Sequence, residues 1–73
     1  MRIELKLLRV KYNLTQGEMS ALLGVSRATY SLIESGRVRG SIEFWNSVQR
    51  EFEIPDAEMY TLMKVCDNPN SME

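Results

Sequence analysis

The chain contains no histidine and only one cysteine, Cys66, among its 73 residues. A single thiol cannot form an intramolecular disulfide, and the lack of histidine excludes Cys/His zinc sites and histidine-based catalytic triads. We interpret Cys66 as a small residue flanking a helix, because a reactive thiol needs an electropositive pocket and Lys64 is its only basic neighbour in the sequence. Neither a metal nor any other cofactor is predicted.

Long apolar runs are also missing. No stretch approaches the roughly 18 residues that cross a membrane, and the charged residues at the start do not lead into a signal-peptide core. We therefore expect a cytoplasmic protein with no membrane association. The length suits one small domain, which we place at residues 1–66, followed by a polar tail at residues 67–73.

The net charge is close to zero, but the charges are unevenly distributed. The formal total is −1. Residues 1–40 contain seven Lys/Arg and three Glu, a net +4, whereas residues 41–73 contain two Lys/Arg and seven Asp/Glu, a net −5. A domain polarised in this way can offer a positive face to phosphates while its acidic end turns away.

Five segments of the chain carry helical signals. The first, residues 2–12, alternates in part like a strand, but its Leu, Lys, Arg and Glu content and its lack of glycine and proline favour a helix. Asn13 tolerates the left-handed conformation that ends many helices. This helix has a second apolar stripe, which we expect to meet the C-terminal helix: Ile3, Leu7 and Val10.

Thr15 and Glu18 have the spacing of a capping box, in which the hydroxyl and the carboxylate each accept a hydrogen bond from a backbone N–H at the helix start. Gly24 supplies the stop, because glycine adopts the left-handed conformation after a helix without steric cost. The two signals together predict a helix of about eight residues. Its inward face is predicted to contain Met19, Leu22 and Leu23.

Only Val25 separates that stop from Ser26, a favoured N-cap residue. So short a connection makes the two helices cross steeply, as in a helix-turn-helix unit. In the third helix, which ends at Gly36, Tyr30 and Ile33 are predicted to face the core. The opposite face has the small, polar and cationic composition of a helix that reads DNA, and it contains Arg27, Ala28, Ser31 and Ser35, with Thr29 and Leu32 at its borders.

A basic loop at residues 37–40 leads to Ser41, which is predicted to cap a fourth helix that ends near Glu53. The core face of this helix is predicted to contain Ile42, Trp45, Val48 and Phe52. Pro55 then begins a fifth helix, whose first turn is acidic, as the helix dipole favours. One side of the fifth helix is predicted to contain Met59, Leu62, Met63 and Cys66.

The stretch LTQGEMSALLGVSRATYSLIESG resembles the Cro/C1-type (XRE-like) helix-turn-helix family of bacterial and phage transcriptional regulators. The match covers roughly residues 3–63 and is most specific at Leu14-Thr15-Gln16, Leu22-Leu23-Gly24-Val25-Ser26 and Ile33-Glu34-x-Gly36. It is looser afterwards, where Gly40 stands in place of a proline that is common in the family. The resemblance implies an all-α fold: a compact five-helix, lambda-repressor-like DNA-binding domain with a central helix-turn-helix.

The resemblance also implies that the third helix enters the major groove. Arg27 would face a guanine, since a guanidinium can donate two hydrogen bonds to O6 and N7. Gln16 would bind a phosphate beside the free N–H groups of the second helix. Leu32, where the family commonly has a polar or basic residue, would either pack on a thymine methyl or be buried at the helix edge. The implied DNA-binding set is Gln16, Ser26, Arg27, Ala28, Thr29, Ser31, Leu32, Arg37 and Arg39, with the last two following the DNA backbone.

Arg9 and Glu34 match a pair that bridges the first and third helices in this family. The resemblance implies that the pair holds the recognition helix at a fixed angle. It also implies that Glu34 is used structurally, so that its negative charge is kept away from the phosphates.

The leading hypothesis is a sequence-specific double-stranded DNA-binding regulator, a repressor that binds a pseudo-palindromic operator as a homodimer. The alternative is a protein-interaction module of the same fold, such as an antitoxin or anti-regulator with little DNA binding of its own. No catalytic pair or phosphate-binding loop stands out, so neither enzyme activity nor a small-molecule ligand is predicted. The fifth helix offers a candidate dimer surface formed by Met59, Tyr60, Leu62 and Met63. The alternative is that these side chains close the core of the monomer.

Overall fold

The computed structural model describes residues 1–65. These residues form five α-helices and no β-strand, namely α1 (Ile3–Lys11), α2 (Gln16–Leu23), α3 (Arg27–Ser35), α4 (Ile42–Phe52) and α5 (Asp56–Met63). The predicted all-α, five-helix fold is confirmed. Cys66 and the expected polar tail lie outside the described residues. None of the five helices combines the length and the apolar character needed to cross a membrane.

Side-chain caps begin α2, α3 and α4. At α2, Thr15 Oγ1 accepts a hydrogen bond from the Glu18 N–H at 3.0 Å, and Glu18 Oε1 accepts one from the Thr15 N–H at 2.9 Å, so the predicted capping box is present. Ser26 and Ser41 cap α3 and α4, each accepting a hydrogen bond from the N–H three residues later. A cap of this kind stabilises a protein by about 1 kcal/mol.

Left-handed backbone conformations end the first four helices. Asn13, Gly24 and Gly36 follow α1, α2 and α3 with φ angles of 58°, 76° and 90°, as the sequence predicts. Glu53 ends α4 in the same way, with a φ of 52°. The helix was predicted to end near Glu53, but the left-handed conformation there was not predicted, because it costs a residue other than glycine about 1–2 kcal/mol.

The helix-turn-helix unit is formed by α2 and α3, which are separated only by residues 24–26. These two helices contact each other more extensively than any other pair among the described residues. The core lies where the inner faces of all five helices meet. Its buried apolar side chains are Leu5, Met19, Leu23, Tyr30, Ile33, Phe44, Trp45, Val48 and Leu62.

Two side chains predicted to face the core are exposed instead. Leu22 is 44% exposed and Ile42 is 79% exposed. Ser20 on α2 and Phe44 on α4, which were not predicted to face the core, are buried. Helical spacing places the apolar side chains of a helix within an arc of about 100° on its surface. The packing of the neighbouring helices then decides which side chains at the edges of this arc are buried. The Ser20 hydroxyl is satisfied there by a carbonyl one turn earlier, at 2.7 Å.

The helix α1 packs against α5, as expected. The apolar stripe predicted to make this contact, however, remains exposed at Ile3, Leu7 and Val10. The side chain of α1 that is fully buried in the core is Leu5.

Candidate nucleic-acid interface

One side of α3 is fixed in the core and the other side is open. Tyr30, Ile33 and Glu34 are each at most 2% exposed, in agreement with the predicted inward face for Tyr30 and Ile33. The opposite side is exposed at Arg27, Ala28, Thr29, Leu32 and Ser35 and half-buried at Ser31. Leu32 is 41% exposed, so it is not buried at the helix edge.

The cap of α3 also orients a hydroxyl on the exposed side. Ser26 Oγ accepts the Thr29 N–H at 3.1 Å and donates its own proton to Thr29 Oγ1 at 2.9 Å. A hydroxyl has one donor and two acceptor sites, so the Thr29 hydroxyl can form a further hydrogen bond beside its contact with Ser26. This arrangement places a polar group at the start of the exposed face.

Arg27 lies against the first turn of α2. A Cβ atom added to Gly17 would stand 3.9 Å from Arg27 Cδ, so the arginine stem passes close to this glycine. Gln16, the first residue of α2, directly precedes Gly17 in the chain. The fold thus brings together two of the residues that the family resemblance implies for DNA contact.

The loop arginines lie at the opposite end of α3. Arg37 and Arg39 are exposed in the loop that follows this nine-residue helix, which is about 14 Å long at a rise of 1.5 Å per residue. The Arg37 and Val38 N–H groups donate to the Leu32 carbonyl at 3.0 and 3.3 Å. These backbone bonds keep the loop close to the C-terminus of α3.

Gly40 closes this loop against Trp45. Its φ of +85° is left-handed, and a Cβ atom added there would stand 2.9 Å from Trp45 Nε1. That same indole nitrogen donates to the Arg39 carbonyl at 3.0 Å. The position where the family commonly has a proline therefore requires glycine in this chain, both for the backbone conformation and for the space beside Trp45.

Glu34 is the centre of a buried hydrogen-bond network under α3. Its Oε2 accepts from Arg9 Nε at 2.8 Å and from the Tyr30 hydroxyl at 2.6 Å. Its Oε1 accepts from Gln16 Nε2 at 3.0 Å and from Arg9 Nη2 at 3.3 Å. The Arg9–Glu34 pair implied by the resemblance is thus confirmed. It ties α1, α2 and α3 together directly beneath the exposed face.

The network also sets the protonation states of its members. Burial alone would raise the pKa of the Glu34 carboxyl, but hydrogen bonds from Arg9, Tyr30 and Gln16 outweigh burial and lower this pKa below its ordinary value. Burial, and then the hydrogen bond to the Glu34 carboxylate, raises the pKa of Tyr30. The hydrogen bond to Glu34 raises the pKa of Arg9. At neutral pH the carboxylate is therefore ionised and its partners keep their protons.

Arg2 is a buried cation that the sequence did not predict. This residue is only 4% exposed, and its guanidinium carbon lies 5.4 Å from the centroid of the Trp45 ring. Its N–H groups donate to backbone carbonyls of α3, of the loop after it and of α5. Burial lowers the pKa of Arg2, although a guanidinium remains charged in proteins. No sequence signal distinguishes it from the solvated arginines that commonly flank a helix.

Within residues 1–65, no group of three His, Cys, Asp or Glu side chains is arranged to hold a metal ion. A helix-turn-helix DNA-binding domain has two helices joined by a short turn, with one side of the second helix exposed. The structure shows these features in α2 and α3, which are both capped and are separated by three residues.

Comparison with known proteins agrees with this class. A helix-turn-helix family model matches residues 5–56, more than half of the chain. A relative from Archaeoglobus fulgidus, described as an uncharacterized HTH-type transcriptional regulator, is 35% identical over 60 residues, which is 82% of this chain and 84% of the relative. No solved structure gives a significant match. The chain belongs to the XRE-like helix-turn-helix family of DNA-binding transcriptional regulators, which is not an enzyme class.

Proposed function

We propose that this regulator acts in the cytoplasm as a repressor and binds a pseudo-palindromic operator as a homodimer, with α3 of each subunit in the major groove. The observation that carries the proposal is the two-sided construction of α3. Tyr30, Ile33 and Glu34 fix one side of the helix in the core, while the other side presents small and cationic residues to solvent. A recognition helix needs both a rigid support and a face that fits between the phosphate backbones.

Base recognition would come chiefly from the N-terminal half of α3. Arg27 can donate two hydrogen bonds to guanine O6 and N7, a contact that discriminates against other bases by about 1–3 kcal/mol. The exposed Thr29 hydroxyl can form a hydrogen bond with a base or a phosphate in addition to its contact with Ser26. Ala28 and Leu32 offer apolar contacts to thymine methyl groups.

Phosphate contacts would flank the base contacts on both sides. Gln16 donates one of its two amide protons to Glu34, and the other proton can reach a phosphate beside the first N–H groups of α2. At the far end of α3, Arg37 and Arg39 would contact the DNA backbone. Since such contacts release counterions, the affinity should fall steeply with salt.

Dimerisation is supported by exposed apolar side chains near α5. Tyr60 is 74% exposed and lies three residues before Met63, so the two side chains are neighbours on the helix surface. Met63 also lines a groove together with the exposed Ile42. Of the four residues predicted for a dimer surface, Leu62 is instead in the monomer core and Met59 packs against that core. The proposed dimer surface therefore consists of Ile42, Tyr60 and Met63.

Repression is the simplest way for a small DNA-binding regulator to act. A dimer that occupies a promoter operator excludes the polymerase without any favourable contact to it.

Two half-sites about 34 Å apart, or a multiple of this distance, would place both α3 helices on the same side of the DNA.

The decisive experiment is selection of bound duplexes from random DNA, combined with measurement of the mass of the complex. We expect a pseudo-palindromic consensus that binds two chains per duplex. Failure to enrich any sequence would overturn sequence-specific binding, and a single half-site bound by one chain would overturn the homodimer. A reporter with the consensus in its promoter then tests repression, which an increase in expression would contradict.

The dimer surface has its own test. Tyr60→Lys should convert the dimer to a monomer in sedimentation experiments and weaken binding to the full operator. Leu7→Lys changes another exposed apolar residue, on α1, and should leave the oligomeric state unchanged. Equal behaviour of the two variants would place the dimer contact elsewhere.

A further inference from the structure

The last turn of α3 is capped by Arg2, a residue near the N-terminus of the chain. The backbone N–H of Arg2 donates to the Glu34 carbonyl at 2.8 Å. Its side chain Nη1 donates to the Ile33 carbonyl at 2.5 Å. The final carbonyls of a helix have no partner within the helix, and this end carries a partial negative charge. Arg2 thus supplies both hydrogen bonds and a cation to the C-terminus of α3.

The same guanidinium also holds the loop that follows α3. Nη1 donates to the Val38 carbonyl at 2.8 Å, and Nη2 donates to the Arg39 carbonyl at 3.3 Å. A third atom, Nε, donates to the Met63 carbonyl of α5 at 2.9 Å. The peptide groups on both sides of the loop residue Arg39 are therefore tied to the ends of two helices by one side chain.

The partners of Arg2 are unusual for a buried cation. Within residues 1–65 it forms no ion pair, and its charge is balanced by four backbone carbonyls and the face of the Trp45 ring. A planar guanidinium has five donors in a fixed fork, whereas a lysine ammonium has three donors at one point. Lysine at this position would keep the charge but could not reach the same set of carbonyls.

We propose that Arg2 is a positioning residue for DNA binding: by fixing the carbonyls of Val38 and Arg39 to the ends of α3 and α5, it aims the side chains of Arg37 and Arg39 at the DNA phosphates. This inference rests on the proposed function, in which these two arginines contact the backbone. Arg2 itself is buried and does not touch DNA.

A double-mutant cycle tests the inference. Affinity for the selected operator is measured over a range of salt concentrations for the unmodified protein, Arg2→Lys, Arg37→Ala/Arg39→Ala and the triple variant. We expect Arg2→Lys to weaken binding at least several-fold and to make the salt dependence shallower by about 1 for each phosphate that is no longer bound. In the variant that lacks the loop arginines, Arg2→Lys should have little further effect. An equal effect in both backgrounds would overturn the inference.

Amide hydrogen exchange measured by NMR tests the anchoring without DNA. Arg2→Lys should accelerate exchange at Arg37 and Val38, whose N–H groups hold the loop, and leave the α2–α3 turn at Val25 unchanged. Unchanged loop exchange would overturn the inference. If Arg37→Ala/Arg39→Ala binds DNA as tightly as the unmodified protein, the proposed phosphate contacts are wrong. The exchange measurement does not depend on DNA, so it still decides whether Arg2 orders the loop.

Loss of folding is a separate outcome. If circular dichroism shows Arg2→Lys to be unfolded, Arg2→Met, which removes the buried charge together with its hydrogen bonds, takes its place in both experiments. If neither variant folds, Arg2 is required for the fold as a whole, and its assignment as a positioning residue is overturned.

Discussion

The Arg9 Nε and Glu34 Oε2 atoms are 2.8 Å apart, and the two side chains are only 13% and 3% exposed. They join α1 to the buried side of α3. A buried pair of this kind serves orientation more than net stability, because both charges lose their hydration. The loss of one partner is costly, however, since it leaves the other charge buried alone.

Arg9→Met should therefore destabilise the protein by about 3–5 kcal/mol. Urea unfolding followed by circular dichroism measures this change. The double variant Arg9→Met/Glu34→Gln should recover part of the stability, because it also removes the unpaired carboxylate. Lys11→Met, at an exposed cation on the same helix, is the matched control. A destabilisation as small as that of an exposed pair, below about 1 kcal/mol, would contradict the prediction.

The Glu34 network should also make stability depend on pH. The pKa of Glu34 is lowered in the folded protein from its ordinary value of 4.5. The ionised carboxylate therefore stabilises the fold above this value, and the contribution is lost as the pH falls from there through the folded pKa. Urea unfolding of the unmodified protein and of Glu34→Gln should give a stability difference that shrinks over this acidic range. A difference that stays constant with pH would rule out the effect.

Gly40 and Gly24 form a matched pair for testing the anchored loop. Both have positive φ angles, but a Cβ at Gly24 meets nothing within 4 Å, whereas one at Gly40 meets Trp45 Nε1 at 2.9 Å. Gly24→Ala should cost about 1–2 kcal/mol through backbone strain alone. Gly40→Ala should cost more and should change the fluorescence of Trp45, the single tryptophan. Equal costs with unchanged fluorescence would show that the indole contact is unimportant.

Arg27 and Arg37 should differ in how they affect DNA binding. Arg27→Ala should weaken binding to the selected operator by about 1–3 kcal/mol and relax the base preference at one position of each half-site. Arg37→Ala should weaken binding to all sequences and lower the salt slope by about 1 per phosphate. Fluorescence anisotropy with operator and scrambled duplexes measures both effects. Arg50→Ala, at an exposed arginine of α4, is the control, and an equal weakening there would point to general electrostatic attraction.

Much of the fold could be predicted from the sequence, because helix ends depend on residues within one or two turns. Thr15, Ser26 and Ser41 begin helices through their own side chains, and Gly24 and Gly36 end helices through backbone conformation. These are local effects that a sequence shows directly. The Arg9–Glu34 pair was anticipated for another reason, namely its match to the family motif.

Only the tertiary structure decided which residues of each helix are covered. Periodicity placed Ile42 and Leu22 on core-facing arcs, but contact with other helices selected Phe44 and Ser20 instead. Arg2 is the clearest case, since an arginine beside a helix is most stable in water unless distant segments supply acceptors for its donors. The carbonyls that do so belong to Ile33, Val38, Arg39 and Met63. Because these residues are 31 to 61 positions away from Arg2 in the chain, no local pattern in the sequence could reveal them.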